Sequence, residues 1–271
     1  MRLRIVVVLT NPATARAGLD AALVAAAIAP DSRIEAFHAR VTPESLIMPS
    51  EEVMTLARRR ELDAMFSAMS SALQDVVSDW AATVPVGRAI VQWREVEGES
   101  VDAVVASCAK TADLIVLVRP AEFEGSTALN AAIFESNRLL LLVPPVDINP
   151  ATFGRHMAIA WKASDSAARA VTAAIPWLQR AERISVLTVG EHPVFDDIQN
   201  LLDAHGIAGE PLAIERGDPN VGERLLRKVQ TIGADSLVMG AYHHHPLGEM
   251  IFGGVTVHML RRASLPLFMT H

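Results

Sequence analysis

Two patterns of apolar residues alternate along the chain. Dense runs of branched residues occur at Ile5–Leu9, Leu114–Val118, Leu139–Val143, Ile184–Val189, Ser236–Met239 and Leu265–Met269. Apolar residues on consecutive positions suit strands covered on both faces, as in a parallel sheet. Between them lie Ala-rich stretches with helical period. Ala167, Ala170, Val171, Ala174, Ile175 and Leu178 keep one face apolar over several turns, and Leu19, Leu23, Ala26 and Ala27 do so earlier. Strands alternating with helices predict βαβ units with right-handed crossovers.

The alternation is written twice. Ala112-Asp113 followed by LIVLV parallels Ala234-Asp235 followed by SLVMG. Both stretches follow an amphipathic helix, and both lead through an irregular loop to another helix and a last strand. The first pass begins at Arg4–Leu9 and the second at His156–Trp161, with the Pro- and Gly-containing connector PPVDINPATFGRH between them. This predicts two α/β domains, 1–148 and 149–271, each a doubly wound sheet of five parallel strands. Two cores of ordinary domain size are favoured over one ten-stranded sheet. The passes differ chiefly at Arg40–Leu62, which predicts a loop followed by a lengthened helix running toward Trp80.

Composition narrows the function. The 271 residues include 51% hydrophobic and 20% charged, as in ordinary globular proteins. The net charge of −7 argues against nucleic acid as a partner, and no apolar run is long enough to span a bilayer. The start MRLRIVVVLTNP lacks the features of a signal peptide, so a cytoplasmic location is expected. The single cysteine, Cys108, agrees with this, and its phase with Val101, Val104 and Val105 predicts a helix core position. Ser164-Asp165-Ser166 reads as a helix N-cap with an acid in the first turn. Asp218-Pro219 reads the same way, with proline at the first helical position. Neither is read as a nucleophile, and no G-x-S-x-G elbow, Walker loop or H-E-x-x-H pattern occurs.

With these motifs in place, the sequence resembles a tandem universal stress protein. The stretches Ala158–Ser164 (AIAWKAS), Ile184–Val189 and GGVTVHMLRRASLPLFM carry the resemblance, and ALNAAIFESNRLLLLVPP reads as a diverged first copy. The resemblance implies two adenine nucleotide alpha hydrolase-like domains packed as a pseudo-dimer. Leu139–Val143 and Leu265–Met269 would then pair antiparallel, and a further pairing of chains into a homodimer is open. An apolar last strand left as an open edge would also invite aggregation.

Nucleotide-binding members share a loop G-x-x-G-x9-G-[ST] after the fourth strand and an Asp ending the first. Glycines there let backbone approach phosphate, and the next helix offers unpaired N–H groups. In this chain the loop keeps Gly240 and Gly253, but has His243 at the second glycine and Gly254 at the hydroxyl position. The acid position falls on Lys162. The first half has RPAEFEG after its fourth strand and LTNP after its first, with no glycine cradle and no Asp. The residues that would line a ligand site are therefore Ala160, Trp161, Lys162, Val189, Gly240, Tyr242, His243, Gly253, Gly254 and Val255. Trp161 and Tyr242 either stack on an adenine or cover the sheet end against solvent. The triple His243-His244-His245 is not assigned to a metal, because adjacent loop residues rarely aim at one ion.

The expectation is a regulatory or protective stress-response protein without robust catalysis, acting through protein contacts, with a degenerate nucleotide site. No cofactor is required, and ATP or AMP is the ligand the second domain would hold. The alternatives are an ATP- or AMP-binding protein with weak ATPase activity and a His-loop metal-responsive module.

Overall fold

The computed structural model describes residues 2–29, 31–46, 54–123, 126–146, 148–190, 195–215, 217, 220–241 and 254–271. The chain divides into two compact units, Met1–Arg138 and Leu139–His271. Among the described residues, no helix is long and apolar enough to cross a membrane.

Unit 1 runs β1 (Arg4–Val8), α1 (Pro12–Ala26), β2 (Arg33–Val41), a 3-10 turn (Pro43–Leu46), α2 (Leu56–Ala81), β3 (Ile90–Gly98), α3 (Val101–Ala109) and β4 (Leu114–Val118). The short helix α4 (Thr127–Asn130) then continues as a π-helical stretch, Ala131–Glu135. Its strands form a parallel sheet in the order β3-β2-β1-β4. Helix α1 starts where Asn11 Oδ1 accepts the N–H of Ala13 and Pro12 occupies the first turn. The small residues on its buried face let it lie close to the sheet: a Cβ on Gly18 would stand 3.1 Å from Val118 Cγ2. The expected lengthened helix is α2, capped by the Thr55 hydroxyl and anchored at its far end by Trp80 Nε1–H donating to Asp20 at 2.7 Å. Cys108 is buried on α3 as expected, and burial raises its thiol pKa.

Unit 2 begins with β5 (Leu139–Val143). It continues with β6 (His156–Ala160), α5 (Asp165–Leu178), β7 (Arg183–Val189), α6 (Asp196–Asp203), β8 (Glu210–Ile214), α7 (Val221–Thr231), β9 (Ser236–Gly240), α8 (Gly254–Arg262) and β10 (Leu267–Thr270). The order is β5-β10-β9-β6-β7-β8. Strands β6 to β10 are mutually parallel, while β5 pairs antiparallel with β10, setting Leu141 opposite Phe268. The antiparallel partnership expected for Leu139–Val143 is therefore present.

The apolar stripe read on α5 is its buried face. Ser164 is its N-cap, its hydroxyl accepting the N–H of Ala167 at 3.3 Å. For α7 the reading needs correction. The cap is Asn220, whose Oδ1 accepts the N–H of Glu223 at 3.0 Å; Asp218 and Pro219 lie outside the described residues. The last strand starts at Leu267 rather than Leu265, since Pro266 has no N–H and uses its carbonyl to accept from Leu237.

Strands β2, β3 and β8 were not legible as apolar runs. Strand β3 ends the order of unit 1, β8 ends that of unit 2, and both carry polar residues toward solvent. Pro211 in β8 and Arg94, Glu95 and Glu97 in β3 discourage pairing with another chain. In β2 the polar residue is internal. Glu35, 7% exposed at its side chain, is held between Arg4 of β1 at 2.8 Å and Arg94 of β3 at 2.9 Å. The hydrogen bond to Glu35 raises the Arg94 pKa.

Candidate functional site

In an open parallel sheet, ligands bind beyond the C-terminal ends of the strands, where successive crossovers leave in opposite directions. In unit 2 that edge is formed by Ala160 of β6, Val189 of β7 and Gly240 of β9. The ladder continues one residue past the strand assignments. The N–H of Trp161 donates to the Leu187 carbonyl at 2.8 Å, that of Gly190 to Ile214 at 3.1 Å, and that of Ala241 to Thr270 at 2.8 Å.

Register fixes which side chains share a face. Ala160 pairs with Leu187 on one side and Met239 on the other, so Trp161 stands between Thr188 and Gly240. Side chains in one row of a parallel ladder point to one face. Gly240 shows which face this is: a Cβ there would lie 2.7 Å from the backbone N of Ala167 and 2.7 Å from Ser166 Oγ. The first turn of α5 therefore rests on the end of β9, and Gly240 lacks a side chain because a helix occupies the space.

Trp161 and Thr188 are 8% and 4% exposed, and neither Trp161 Nε1 nor Thr188 Oγ1 has a hydrogen-bond partner. Sequence reasoning named Trp161 and missed Thr188. The available signal was the second hydroxyl of the run ISVLTV, whose first, Ser185, lies against His156 Nε2.

Lys162 is exposed, and its carbonyl accepts the Ser164 hydroxyl at 3.1 Å. Gly254 opens α8 and is exposed, with nothing within 4 Å of an added Cβ; Val255 beside it is half-buried. Tyr242, His243 and Gly253, like His244 and His245, lie outside the described residues. His258 packs face to face with α7, since a Cβ on Gly222 would come 2.7 Å from its own. Among the described residues, no three His, Cys, Asp or Glu side chains are grouped to hold a metal ion.

The corresponding edge of unit 1 is built differently. Asn11, after β1, is committed to capping α1. His38 of β2 is buried, with Nδ1 3.0 Å from the Leu9 carbonyl oxygen and its ring stacked on Trp93 at 6.3 Å. Beyond β4, Phe123 is buried, and burial lowers the pKa of Arg119. Apolar and self-paired groups stand where the pattern would require a cradle.

Parallel strands alternating with helices in both units define an α/β protein of the doubly wound kind. The comparisons with known proteins show what the chain is similar to. Residues 195–271 match the universal stress protein family model. A universal stress protein from Archaeoglobus fulgidus DSM 4304 is similar over 99% of this chain and 96% of its own, at 16% identity and a TM-score of 0.68. A putative universal stress protein from Pseudomonas aeruginosa UCBPP-PA14 is similar over 98% and 92%, at 14% identity and a TM-score of 0.59. A functionally unknown protein from Pseudomonas aeruginosa PAO1 matches over the same shares at 13% and 0.62. No curated protein matches the chain. The family match is thus confined to residues 195–271, while the fold of a solved universal stress protein extends over nearly the whole chain.

Proposed function

We propose that this protein is a stress-response regulator or protectant that works through protein contacts rather than catalysis, and that the nucleotide site of unit 2 is degenerate. The observation carrying this reading is the state of the positions that would hold a nucleotide. Gly240 is accounted for by the close approach of Ser166 and Ala167, which leaves no need for a phosphate to explain it. At the end of β6, an exposed Lys162 replaces the acid that would meet the nucleoside end. One observation favours the alternative, ATP or AMP held at the start of α8: Gly254 is open, and the first turn of a helix presents unpaired N–H groups suited to phosphate.

Mass spectrometry of freshly purified, denatured protein, followed by calorimetric titration with MgATP, tests the two. The degenerate-site reading expects no retained nucleotide and no saturable heat. It also expects the double substitution Lys162→Asp with Gly254→Ser, which restores the acid and the hydroxyl, to gain affinity. Retained ATP or AMP, or tight binding by the unaltered chain, sinks it.

A further inference from the structure

We infer that unit 2 takes a small oxyanion, a phosphate or a carboxylate, between the first turn of α5 and the end of the β6–β7 ladder, with Trp161 Nε1 and Thr188 Oγ1 as its hydrogen-bond donors. The inference rests on the reading that the carboxyl edge of unit 2 has lost its fit for a nucleoside triphosphate, and it names what the rebuilt edge holds instead.

Four observations converge. Trp161 and Thr188 are 8% and 4% exposed, and each has a polar side-chain atom without a partner. Buried polar groups in native proteins are almost always hydrogen-bonded, so orphan atoms on two neighbouring residues call for an acceptor. Register places them next to each other on the same face, one step beyond the Ala160–Leu187 pair. That face is where α5 begins, as the contact of Ser166 and Ala167 with Gly240 shows.

Ligand chemistry follows from the donors. An indole N–H only donates, and a threonine hydroxyl donates or accepts. An acceptor oxygen satisfies both, whereas an ammonium or a metal ion satisfies neither fully. The positive end of the α5 dipole favours a negative charge on that oxygen, offset in part by Asp165 in the same turn. Lys162, the next residue after Trp161, is exposed at the same end of β6. Both orphan atoms are closed to bulk solvent, so the ligand enters by a local opening of the edge.

The indole region of a proton–nitrogen correlation spectrum of the full chain reads the key atom directly. The chain has four tryptophans, and the Trp161 signal is the one lost in Trp161→Phe. The expected result is that this signal alone moves and saturates as inorganic phosphate or acetate is added. The stronger of the two identifies the oxyanion class. Thr188→Val, which keeps shape and removes the hydroxyl, weakens that response about tenfold, the loss of roughly one hydrogen bond. It leaves the ligand-free melting temperature unchanged or raised, because an orphan hydroxyl has been removed. A Trp161 signal unmoved by either anion overturns the inference, as does one that moves equally in Thr188→Val. Movement with ATP or AMP alone, while phosphate and acetate are silent, also overturns it. Failure of the degenerate-site reading would appear separately, as nucleotide retained on the purified chain.

Discussion

Asp235 accepts the backbone N–H of His156 at 2.7 Å, tying the start of β9 to the start of β6 across a gap of 79 positions. Its other oxygen accepts the N–H of Gly154 at 2.8 Å and the Ser236 hydroxyl at 3.0 Å. In unit 1, Asp113 does the equivalent work, accepting the N–H of Arg4 at 2.8 Å at the start of β1. The repeated Ala-Asp dipeptide is therefore a structural latch at the amino edge of each sheet. Replacing Asp235 by alanine leaves two backbone donors unpaired. It is expected to destabilise unit 2 by about 2–3 kcal/mol in urea unfolding, with Asp113→Ala costing unit 1 about half as much. Equal, negligible effects would contradict the latch.

His156 gives the same edge a pH dependence. Burial lowers its pKa, and the Arg183 charge lowers it further, while Asp235 and a backbone hydrogen bond with Gly233 pull the other way. Its Nε2 lies 2.9 Å from Ser185 Oγ. A histidine with a depressed folded pKa contributes stability that is fully present above its unfolded value of about 6.5. That contribution is lost as pH falls through the folded value. The melting temperature is expected to drop more between neutral and mildly acidic pH in the native chain than in His156→Gln. The reverse order would show that protonation stabilises the fold.

Gly240 and Gly254 look equivalent in the sequence motif and are expected to behave oppositely. A Cβ at Gly240 meets the α5 backbone at 2.7 Å, while one at Gly254 meets nothing within 4 Å. Gly240→Ala should cost about 3 kcal/mol or more by overpacking. Gly254→Ala should stay within about 0.5 kcal/mol of the parent. Chemical denaturation of the two variants checks the contrast. It also makes Gly254 the proper site for ligand tests, since a variant at Gly240 would lose binding by losing structure.

Ion pairs should divide by burial. Glu35, 7% exposed at its side chain, bridges Arg4 and Arg94, whose side chains are 31% and 44% exposed. Glu35→Ala leaves those cations without their acceptor. Discounted for their exposure, its cost is expected to be about 2 kcal/mol and nearly independent of salt. Arg183 and Glu210 form a 2.6 Å pair with both side chains about half exposed. Glu210→Ala should cost under about 1 kcal/mol, with most of the difference gone at high salt.

Much of the architecture was present in local sequence. The strands β1, β4, β5, β7 and β9 announce themselves because nearly every position in them is buried, and so mostly apolar. The stripe of α5 and the Ser164 cap follow from spacing and from the short-range chemistry of a hydroxyl beside free N–H groups. The strands β2, β3 and β8 escaped because each is polar for a different tertiary reason. Glu35 is neutralised by arginines on neighbouring strands, the solvent-facing side of β3 carries charge, and β8 holds a proline at an edge. None of these compensations is adjacent in sequence.

Sequence alone also fixed the twofold repeat and the family pattern of the ligand edge, since both depend on residue type at set spacing. Tertiary structure alone decided what surrounds those residues. It left no room for a side chain at Gly240, because Ser166 and Ala167 of another element close on that position. It set Trp161 beside Thr188, because register between strands joins positions 27 residues apart. Hydrogen-bond satisfaction belongs to the assembled fold: a tryptophan or a threonine in a string of letters cannot reveal that its polar atom will be buried without a partner.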